Sequence, residues 1–343
     1  MGRFPRDSKV LRYTSTVRFR SLKEDLRSLQ SRAKLEQGSK YSRYRCSRPL
    51  RAAAKRNSTS IASAKGVEES TLVVPSGIRL EVLSQSAEGG STKPPIVFLH
   101  GSYHAAWCWA IHFMPKFAAN GYDVHALSLR GQGGGDHTQR APSVDDHVAD
   151  VAFLVKQLPR PPVLVGHSFG GIFVERYISG EAPLHCPELA GAVLACAVPP
   201  YGNAPMISRF LLSKPLASIR LTLSLAARMW EGNPRLFRES FFSKRLPDTT
   251  LAQYMQLMSA NSRGRLLDLK DMNAMVPLAT PAKQPVMVIG AELDMCVDVQ
   301  GVEDTAKAYG VKPVILKGAP HDIMLDVEWE KAADEILAWL NQL

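Results

Sequence analysis

The feature that most constrains the fold is a short apolar run that leads directly into a glycine-flanked serine. Residues 162–165 have the sequence Pro-Val-Leu-Val, and residues 166–171 follow with Gly-His-Ser-Phe-Gly-Gly. This pattern predicts a buried strand, a very tight turn at Ser168 and a helix that begins near Phe169. The flanking glycines are expected because side chains there would collide with the neighbouring strand and helix. The turn would lift the Ser168 hydroxyl above the edge of a sheet, which favours a nucleophile over an inert strand–helix turn.

Short apolar strands alternate with helices around this turn. Predicted strands lie at 71–74, 78–83, 96–99, 122–129, 162–167, 189–198, 286–291 and 314–316, and predicted helices at 107–119, 144–158, 169–180, 299–309 and 327–340. The first two strands flank Pro-Ser-Gly at 75–77, a turn signal that indicates a hairpin. The others alternate with helices, which predicts an α/β fold with a mostly parallel sheet and helices on both faces.

The alternation stops between residues 199 and 284, where helical segments are predicted near 205–212, 216–229 and 248–258. An insertion here would lie over the mouth of the sheet as a helical cap, so we expect one α/β domain over residues 67–343 with the cap inside it. The insertion is rich in large apolar side chains, namely Met206, Phe210, Leu221, Met229, Phe237, Phe241, Phe242, Met255 and Met258. Most of these are expected to pack the cap onto the domain, and a few to contact a substrate.

Residues 1–66 differ in composition from the rest of the chain. They hold 18 Lys and Arg against 4 Asp and Glu, whereas residues 67–343 hold 24 against 28. This leader is Ser-rich, is poor in acids and lacks the apolar core of a secretory signal, which is typical of an organelle transit peptide. The composition favours the plastid, and amphipathic character between residues 18 and 35 keeps the mitochondrion as the alternative. A basic disordered arm that binds anionic lipid or nucleic acid, or a mispredicted gene start, are the other interpretations.

Composition also argues against several classes of function. The body of the chain is mildly acidic, so we expect no nucleic-acid partner. No stretch approaches the roughly 18 uninterrupted apolar residues of a spanning helix, so we expect no transmembrane segment and leave peripheral membrane contact open. The Gly-rich loop at 130–135 lacks the pattern of a phosphate-binding loop, and the cysteines are scattered without metal-binding spacing, so we expect neither a cofactor nor a metal. The five cysteines are Cys46, Cys108, Cys186, Cys196 and Cys296. The oligomeric state does not follow from the sequence.

A nucleophilic serine needs a base within hydrogen-bond reach, and the base needs an acid that fixes its tautomer. Asp294 lies three residues beyond the strand at 286–291, and His321 lies in the loop after the last strand. Loops at the carboxyl ends of parallel strands share one edge of the sheet, where Ser168, Asp294 and His321 could meet. The chain order Ser, Asp, His is that of the α/β-hydrolase architecture. Glu292 and Asp298 remain the alternative acids.

An oxyanion formed at the serine would need two amide donors. The amide of Phe169, at the N-terminus of the predicted helix, is one. The strand at 96–99 ends in a turn at His100-Gly101, which makes the amide of Ser102 the best candidate for the other. His100 and His167 flank strand–turn junctions, so we expect structural roles for them.

With these motifs in order, residues 70–343 resemble the α/β-hydrolase family. The segment His-Gly-Ser-Tyr-His-Ala-Ala-Trp-Cys-Trp at 100–109, together with residues 166–171, is similar to the plant methylesterase and hydroxynitrile-lyase branch. The lyases carry a Lys directly after the catalytic His, where this chain has Asp322, which counts against cyanohydrin cleavage. Residues 321–326 and the basic leader are similar to plastid hydrolases linked to chlorophyll-phytol and tocopherol metabolism. The resemblance implies a triad of Ser168, Asp294 and His321. The leader and the three glycines at 133–135 depart from cytosolic methylesterases, so small hormone esters are disfavoured.

Together these features predict a metal-free serine hydrolase of carboxylic esters. The apolar insertion favours a small-molecule ester with a hydrophobic acyl, prenyl or phytyl portion, acted on in the plastid. Two alternatives remain: a receptor-like binding protein that kept the pocket but has little turnover, and an acyltransferase or lyase that uses the same serine. Dehalogenase and epoxide hydrolase chemistry needs an Asp as the nucleophile on the strand–helix turn, where this chain has Ser168.

Overall fold

An eight-stranded sheet forms the centre of the described α/β domain. The computed structural model describes residues 66–262, 264–280 and 283–343, so the proposed leader lies outside the described residues except for Gly66. The strands are β1 (Glu68–Val73), β2 (Arg79–Gln85), β3 (Ile96–Leu99), β4 (Val124–Leu127), β5 (Val163–His167), β6 (Gly191–Ala195), β7 (Val286–Ala291) and β8 (Val314–Leu316). Their order across the sheet is β1-β2-β4-β3-β5-β6-β7-β8.

The sheet is parallel from β4 to β8 and antiparallel only at one edge. Strands β1 and β2 form the predicted hairpin, and β2 pairs with β4 in the antiparallel sense. From β4 onward in the sheet order, each neighbouring pair of strands is parallel. The prediction of a mostly parallel α/β sheet is therefore confirmed. This order places the ends of β3, β5, β6, β7 and β8 side by side along one edge, which is where the predicted site residues lie.

Helices cover both faces of the sheet. Those of the α/β body are α1 (Trp107–Ala110), α2 (Phe113–Ala119), α3 (Val144–Val155), α4 (Phe169–Ile178), α10 (Val299–Ala308) and α11 (Trp329–Leu340). Alternate residues of β3 point to opposite faces: Ile96 and Phe98 join the core under α1, α2 and α11, whereas Val97 and Leu99 join the core under α3, α4 and α10. All four side chains are fully buried, as expected for a central parallel strand.

One predicted helix is divided in two. The sequence pattern predicts a single helix over 107–119, but the structure has α1 ending at Ala110 and α2 beginning at Phe113. Pro115 explains the break because its ring would clash with the carbonyl of residue 111 in a continuous helix and it has no N–H to donate. In the observed arrangement Pro115 lies in the first turn of α2, where that N–H is not needed.

Five helices form the cap between β6 and β7: α5 (Ala204–Ser213), α6 (Pro215–Ala226), α7 (Pro234–Phe241), α8 (Asp248–Asn261) and α9 (Leu269–Met275). The sequence predictions missed α7 and α9. Both begin with a capping side chain: Asn233 accepts from the amide of Leu236 at 3.1 Å, and Asp268 accepts from the amide of Lys270 at 2.9 Å. These caps were the available signals for two short helices. Within the described ranges, no helix has both the length and the apolar character needed to cross a membrane.

Candidate active site

Ser168 occupies the tight turn between β5 and α4 in a strained backbone conformation. Its φ is 55° and its ψ is −121°, a region that residues with a side chain rarely adopt. Three main-chain hydrogen bonds hold it there: its amide donates to the carbonyl of Ala195 at 3.1 Å, and its carbonyl accepts from Gly171 at 3.0 Å and Val198 at 3.1 Å. The surrounding structure therefore over-determines the strained geometry, as is typical of functional turns.

The glycines around Ser168 are required by close main-chain packing. A Cβ added to Gly166 would lie 2.5 Å from the carbonyl oxygen of Gly170, and one added to Gly170 would lie 2.5 Å from the carbonyl oxygen of Leu99. A Cβ on Gly171 would overlap the side chain of Ala197 on the neighbouring strand end. The collisions expected from the sequence are thus present in the structure.

His321 is hydrogen-bonded to Asp294. Its Nδ1 lies 2.7 Å from Oδ2 of Asp294, and both residues are buried. The other carboxylate oxygen of Asp294 accepts from the amides of Cys296 at 2.6 Å and Val297 at 2.9 Å. Because Nδ1 is held by the carboxylate, Nε2 is the nitrogen that can take up a proton.

The two alternative acids are engaged elsewhere. Glu292 accepts from the amide of Gly318 at 2.8 Å. Asp298 caps α10 and forms a bidentate pair with Arg209 on α5, at 2.6 and 2.9 Å. The structure therefore brings Asp294, and neither alternative, to the imidazole of His321.

The surroundings of His321 favour its protonated form. Burial by itself lowers the pKa of His321, but the charge of Asp294, the hydrogen bond to it and the nearby charge of Asp322 together raise that pKa above its usual value. A base of this kind holds a proton firmly once it has accepted one, which suits transfer from a serine hydroxyl.

A single cavity of about 870 Å³ collects the predicted site residues at the carboxyl edge of the sheet. Its lining includes Ser102, Ser168, Phe169, Asp294 and His321. Four of the nine large apolar cap residues predicted from the sequence also line it, namely Met206, Phe210, Leu221 and Phe241. Ile207 and Leu225 add to this wall. The cavity thus has the predicted site residues at the sheet edge and a largely apolar cap side, to which Lys214, Ser218 and Arg228 add polar groups. Such a lining is typical of a small-molecule site.

The loop after β3 is held in place by His100. The amide of Leu129 donates to Nε2 of His100 at 3.0 Å, and Nδ1 lies 2.8 Å from the carbonyl of Gly101. One nitrogen accepts and the other donates, so the ring is neutral, and burial lowers its pKa to about 3. This is the structural role expected for His100, and it supports the turn that carries Ser102.

Sequence reasoning expected a structural role for His167 but missed the buried polar cluster that His167 forms with His104 and Asp322 next to the site. Nε2 of His104 lies 2.9 Å from Oδ2 of Asp322, and Nδ1 of His104 lies 2.9 Å from the carbonyl of Ser102. Nε2 of His167 lies 3.0 Å from the carbonyl of His321. The available signal was their position in the sequence, since these residues lie one or two places from the predicted site residues.

Among the residues that the structure describes, two groups have the spacing to hold an ion. They are His167, His321 and Asp322, and Cys196, Asp294 and His321. Both would take a ring nitrogen of His321, the residue that the Asp294 hydrogen bond already positions for proton transfer. We therefore assign no metal to either group.

A sheet of this order, with a serine on a strained strand–helix turn and a His–Asp pair on adjoining loops, defines a class of hydrolase. The Alpha/beta hydrolase family model matches residues 96–336. This chain therefore belongs to the alpha/beta hydrolase family, as its sequence motifs suggested.

The chain is also similar to named members of plant and bacterial groups. It is 40% identical over 107 residues to a non-heme chloroperoxidase of Streptomyces lividans, covering 31% of this chain and 37% of that protein. It is 38% identical over 86 residues to methylesterase 1 of Arabidopsis thaliana, covering 23% of this chain and 32% of that protein. The chain thus spans only about a third of the length of these curated relatives.

Solved structures share the fold over most of the chain. An esterase of Exiguobacterium antarcticum superposes with a TM-score of 0.60 at 15% identity, covering 80% of this chain and all of that one. An epoxide hydrolase of Vigna radiata superposes with a TM-score of 0.59 at 19% identity, covering 82% of this chain and all of that one. At these identities the likeness concerns the fold alone.

Proposed function

We propose that this protein is a serine-dependent hydrolase of carboxylic esters. The observation that carries the proposal is the 2.7 Å hydrogen bond between Nδ1 of His321 and Asp294, in the same cavity as Ser168 on its strained turn. The similarity to methylesterase 1 of Arabidopsis thaliana supports an ester as the substrate.

The proposed mechanism assigns one step to each group. His321 removes the Ser168 proton through Nε2, and the hydroxyl oxygen attacks the ester carbonyl. The amides of Ser102 and Phe169 stabilise the oxyanion of the tetrahedral intermediate, and Asp294 stabilises the imidazolium. Collapse of the intermediate releases the alcohol, which takes its proton from His321. Water activated by the same imidazole then hydrolyses the acyl-enzyme and releases the acid.

The apolar wall under the cap supports a hydrophobic substrate. The cavity has a volume of about 870 Å³, and aliphatic and aromatic side chains form much of the part beneath the cap. We therefore infer an ester with a long acyl, prenyl or phytyl portion that lies between α5 and α6. The basic, Ser-rich composition of residues 1–66 supports action in the plastid.

The test compares wild type with Ser168→Ala in hydrolysis of p-nitrophenyl butyrate. We expect kcat to fall by about 10⁴-fold or more, because the nucleophile is lost. Ser179→Ala, at the far end of the same helix, is the matched control and should retain wild-type rates. Equal rates for wild type and Ser168→Ala would refute the proposal. Product partition between water and an added alcohol separates a hydrolase from an acyltransferase.

A further inference from the structure

His104 is a buried imidazole whose two nitrogens both face hydrogen-bond acceptors. It is 1% exposed; Nδ1 is 2.9 Å from the carbonyl oxygen of Ser102, and Nε2 is 2.9 Å from Oδ2 of Asp322. A main-chain carbonyl has no proton to donate, and an ionised carboxylate also only accepts. With Asp322 ionised, both nitrogens of His104 must donate, and only the imidazolium cation can do so.

The surroundings of Asp322 favour the carboxylate over the protonated acid. Burial by itself raises the pKa of Asp322, but the charge of His104, the hydrogen bond from it, and the His167 and His321 rings bring that pKa below its usual value. Oδ1 of Asp322 lies 4.0 Å from Nε2 of His167. An ionised Asp322 is an acceptor for Nε2 of His104, and with the carbonyl of Ser102 at Nδ1 both nitrogens of His104 then face acceptors.

His104, Asp322 and the nearby His167 come from three segments that are distant in the chain. Each proposed catalytic group has a neighbour in the cluster, at one or two positions along the sequence: Ser102 has His104, Ser168 has His167, and His321 has Asp322. The oxyanion loop, residues 100–104 with the amide of Ser102, also packs directly on the Ser168 turn, since a Cβ on Gly101 would lie 2.7 Å from Cβ of Ser168. A displacement of His104 or Asp322 would thus also displace the neighbouring catalytic groups.

We propose that His104 and Asp322 form a buried ion pair that positions the oxyanion loop and neutralises the carboxylate next to the catalytic base. Both are positioning residues: His104 holds the carbonyl of Ser102, and its charge offsets the field of Asp322 at His321. The inference rests on the proposed function, because it assigns these roles within the same site.

The other titratable groups around His104 and Asp322 supply no positive charge to balance Asp322. They are His100, His167, His321, Asp294, Cys108, Cys196, Cys296 and Tyr254. Burial, as the largest cause, lowers the pKa of both His100 and His167 to about 3 and raises that of the three thiols and of Tyr254, so these groups are neutral near pH 7. Asp294 is engaged with His321. The counter-charge of Asp322 therefore comes from His104.

The kinetic test removes first one charge and then both. His104→Gln leaves the Asp322 carboxylate without its counter-ion beside His321, which favours the protonated base. We expect the acid limb of kcat/KM for p-nitrophenyl butyrate to move up by about half to one pH unit. We also expect kcat to fall by about tenfold or more, with KM within about twofold, because an oxyanion amide acts in the transition state.

The double variant His104→Gln/Asp322→Asn then distinguishes an ion pair from simple packing. Removal of the carboxylate should return the acid limb to its wild-type position, while kcat stays low because the carbonyl of Ser102 has lost its donor. A pair that only fills space would change stability and leave the acid limb in place in all variants. That result would overturn the proposal.

Nitrogen-15 NMR of histidine-labelled full-length protein tests the ion pair without reference to activity. We expect an imidazolium signal with both nitrogens protonated at pH about 8, as the two acceptors around His104 require, and this signal should persist in His321→Gln, which removes the other ring that faces a carboxylate. It should vanish in His104→Gln and also in Asp322→Asn, whose amide can donate to Nε2, and persist in the control His185→Gln, an exposed position. Absence of the signal in wild type would refute the ion pair. If wild type hydrolyses no ester, the proposed function fails while this spectrum still decides the pair.

Discussion

Ser168 shows how a single strained residue is kept in place. A side-chain-bearing residue with a φ of 55° costs on the order of 1–3 kcal/mol, which the three main-chain hydrogen bonds and the close glycine contacts around it offset. The glycines remove the steric obstacles, and the neighbouring strand end supplies the partners. The strain is local, but the groups that maintain it come from β5, β6 and α4.

Gly171→Ala should destabilise the protein without touching the reacting groups. The new Cβ would overlap the side chain of Ala197 and lie 3.1 Å from its Cα, so we expect a loss of about 1–3 kcal/mol in the free energy of unfolding. Urea denaturation measures this loss. Ala197→Gly in the same chain should restore part of the stability, and Gly264→Ala, where a Cβ meets nothing within 4 Å, is the control. Wild-type stability for Gly171→Ala would contradict the packing described here.

The elements differ in how well local sequence predicts them. Strands β3, β7 and β8 have the predicted bounds, because each is a short apolar run with a clear stop. Helix α3 begins as predicted after Ser143, which forms a capping box with Asp146. The cap is harder to predict because its helices α7 and α9 are short and depend on contacts with the body. Their side chains contact both the core and the cavity.

The cap helix α6 separates residues that line the cavity from residues that face solvent. Leu221 lines the cavity, whereas Leu223, two positions along, is 40% exposed. Leu221→Trp should therefore fill space beneath the cap and lower kcat/KM for long-chain p-nitrophenyl esters by about tenfold relative to the butyrate. Leu223→Trp should leave the chain-length preference as in wild type. If both variants show the same dependence of kcat/KM on chain length, the acyl chain does not lie against Leu221.

The whole chain divides into two parts of opposite charge. Residues 1–66 carry the excess of positive charge, and the α/β body is mildly acidic. The described elements begin at β1, so the sheet and the site are built from residues beyond the leader. The proposed transit role of residues 1–66 is therefore tested separately from the site.

A fusion of the full chain to a fluorescent protein at its C-terminus should accumulate in plastids of plant cells. The same fusion starting at Gly66 should remain in the cytosol, because the Arg- and Ser-rich segment is missing. Confocal microscopy with plastid and mitochondrial markers measures both outcomes. Mitochondrial fluorescence from the full chain would establish the alternative destination, and equal distribution of the two fusions would exclude a transit peptide.

Local sequence alone determined the strand–turn–helix segment around Ser168 and the strand-end positions of Asp294 and His321. Apolar strand runs and the need for glycine at close main-chain contacts are properties of a few consecutive residues. The tertiary structure decided that Asp294 rather than Glu292 or Asp298 reaches His321. It also decided that His104 meets Asp322, 218 residues further along the chain. Such contacts depend on the order and register of the strands, which bring distant loops to one edge of the sheet, and no local pattern contains that information.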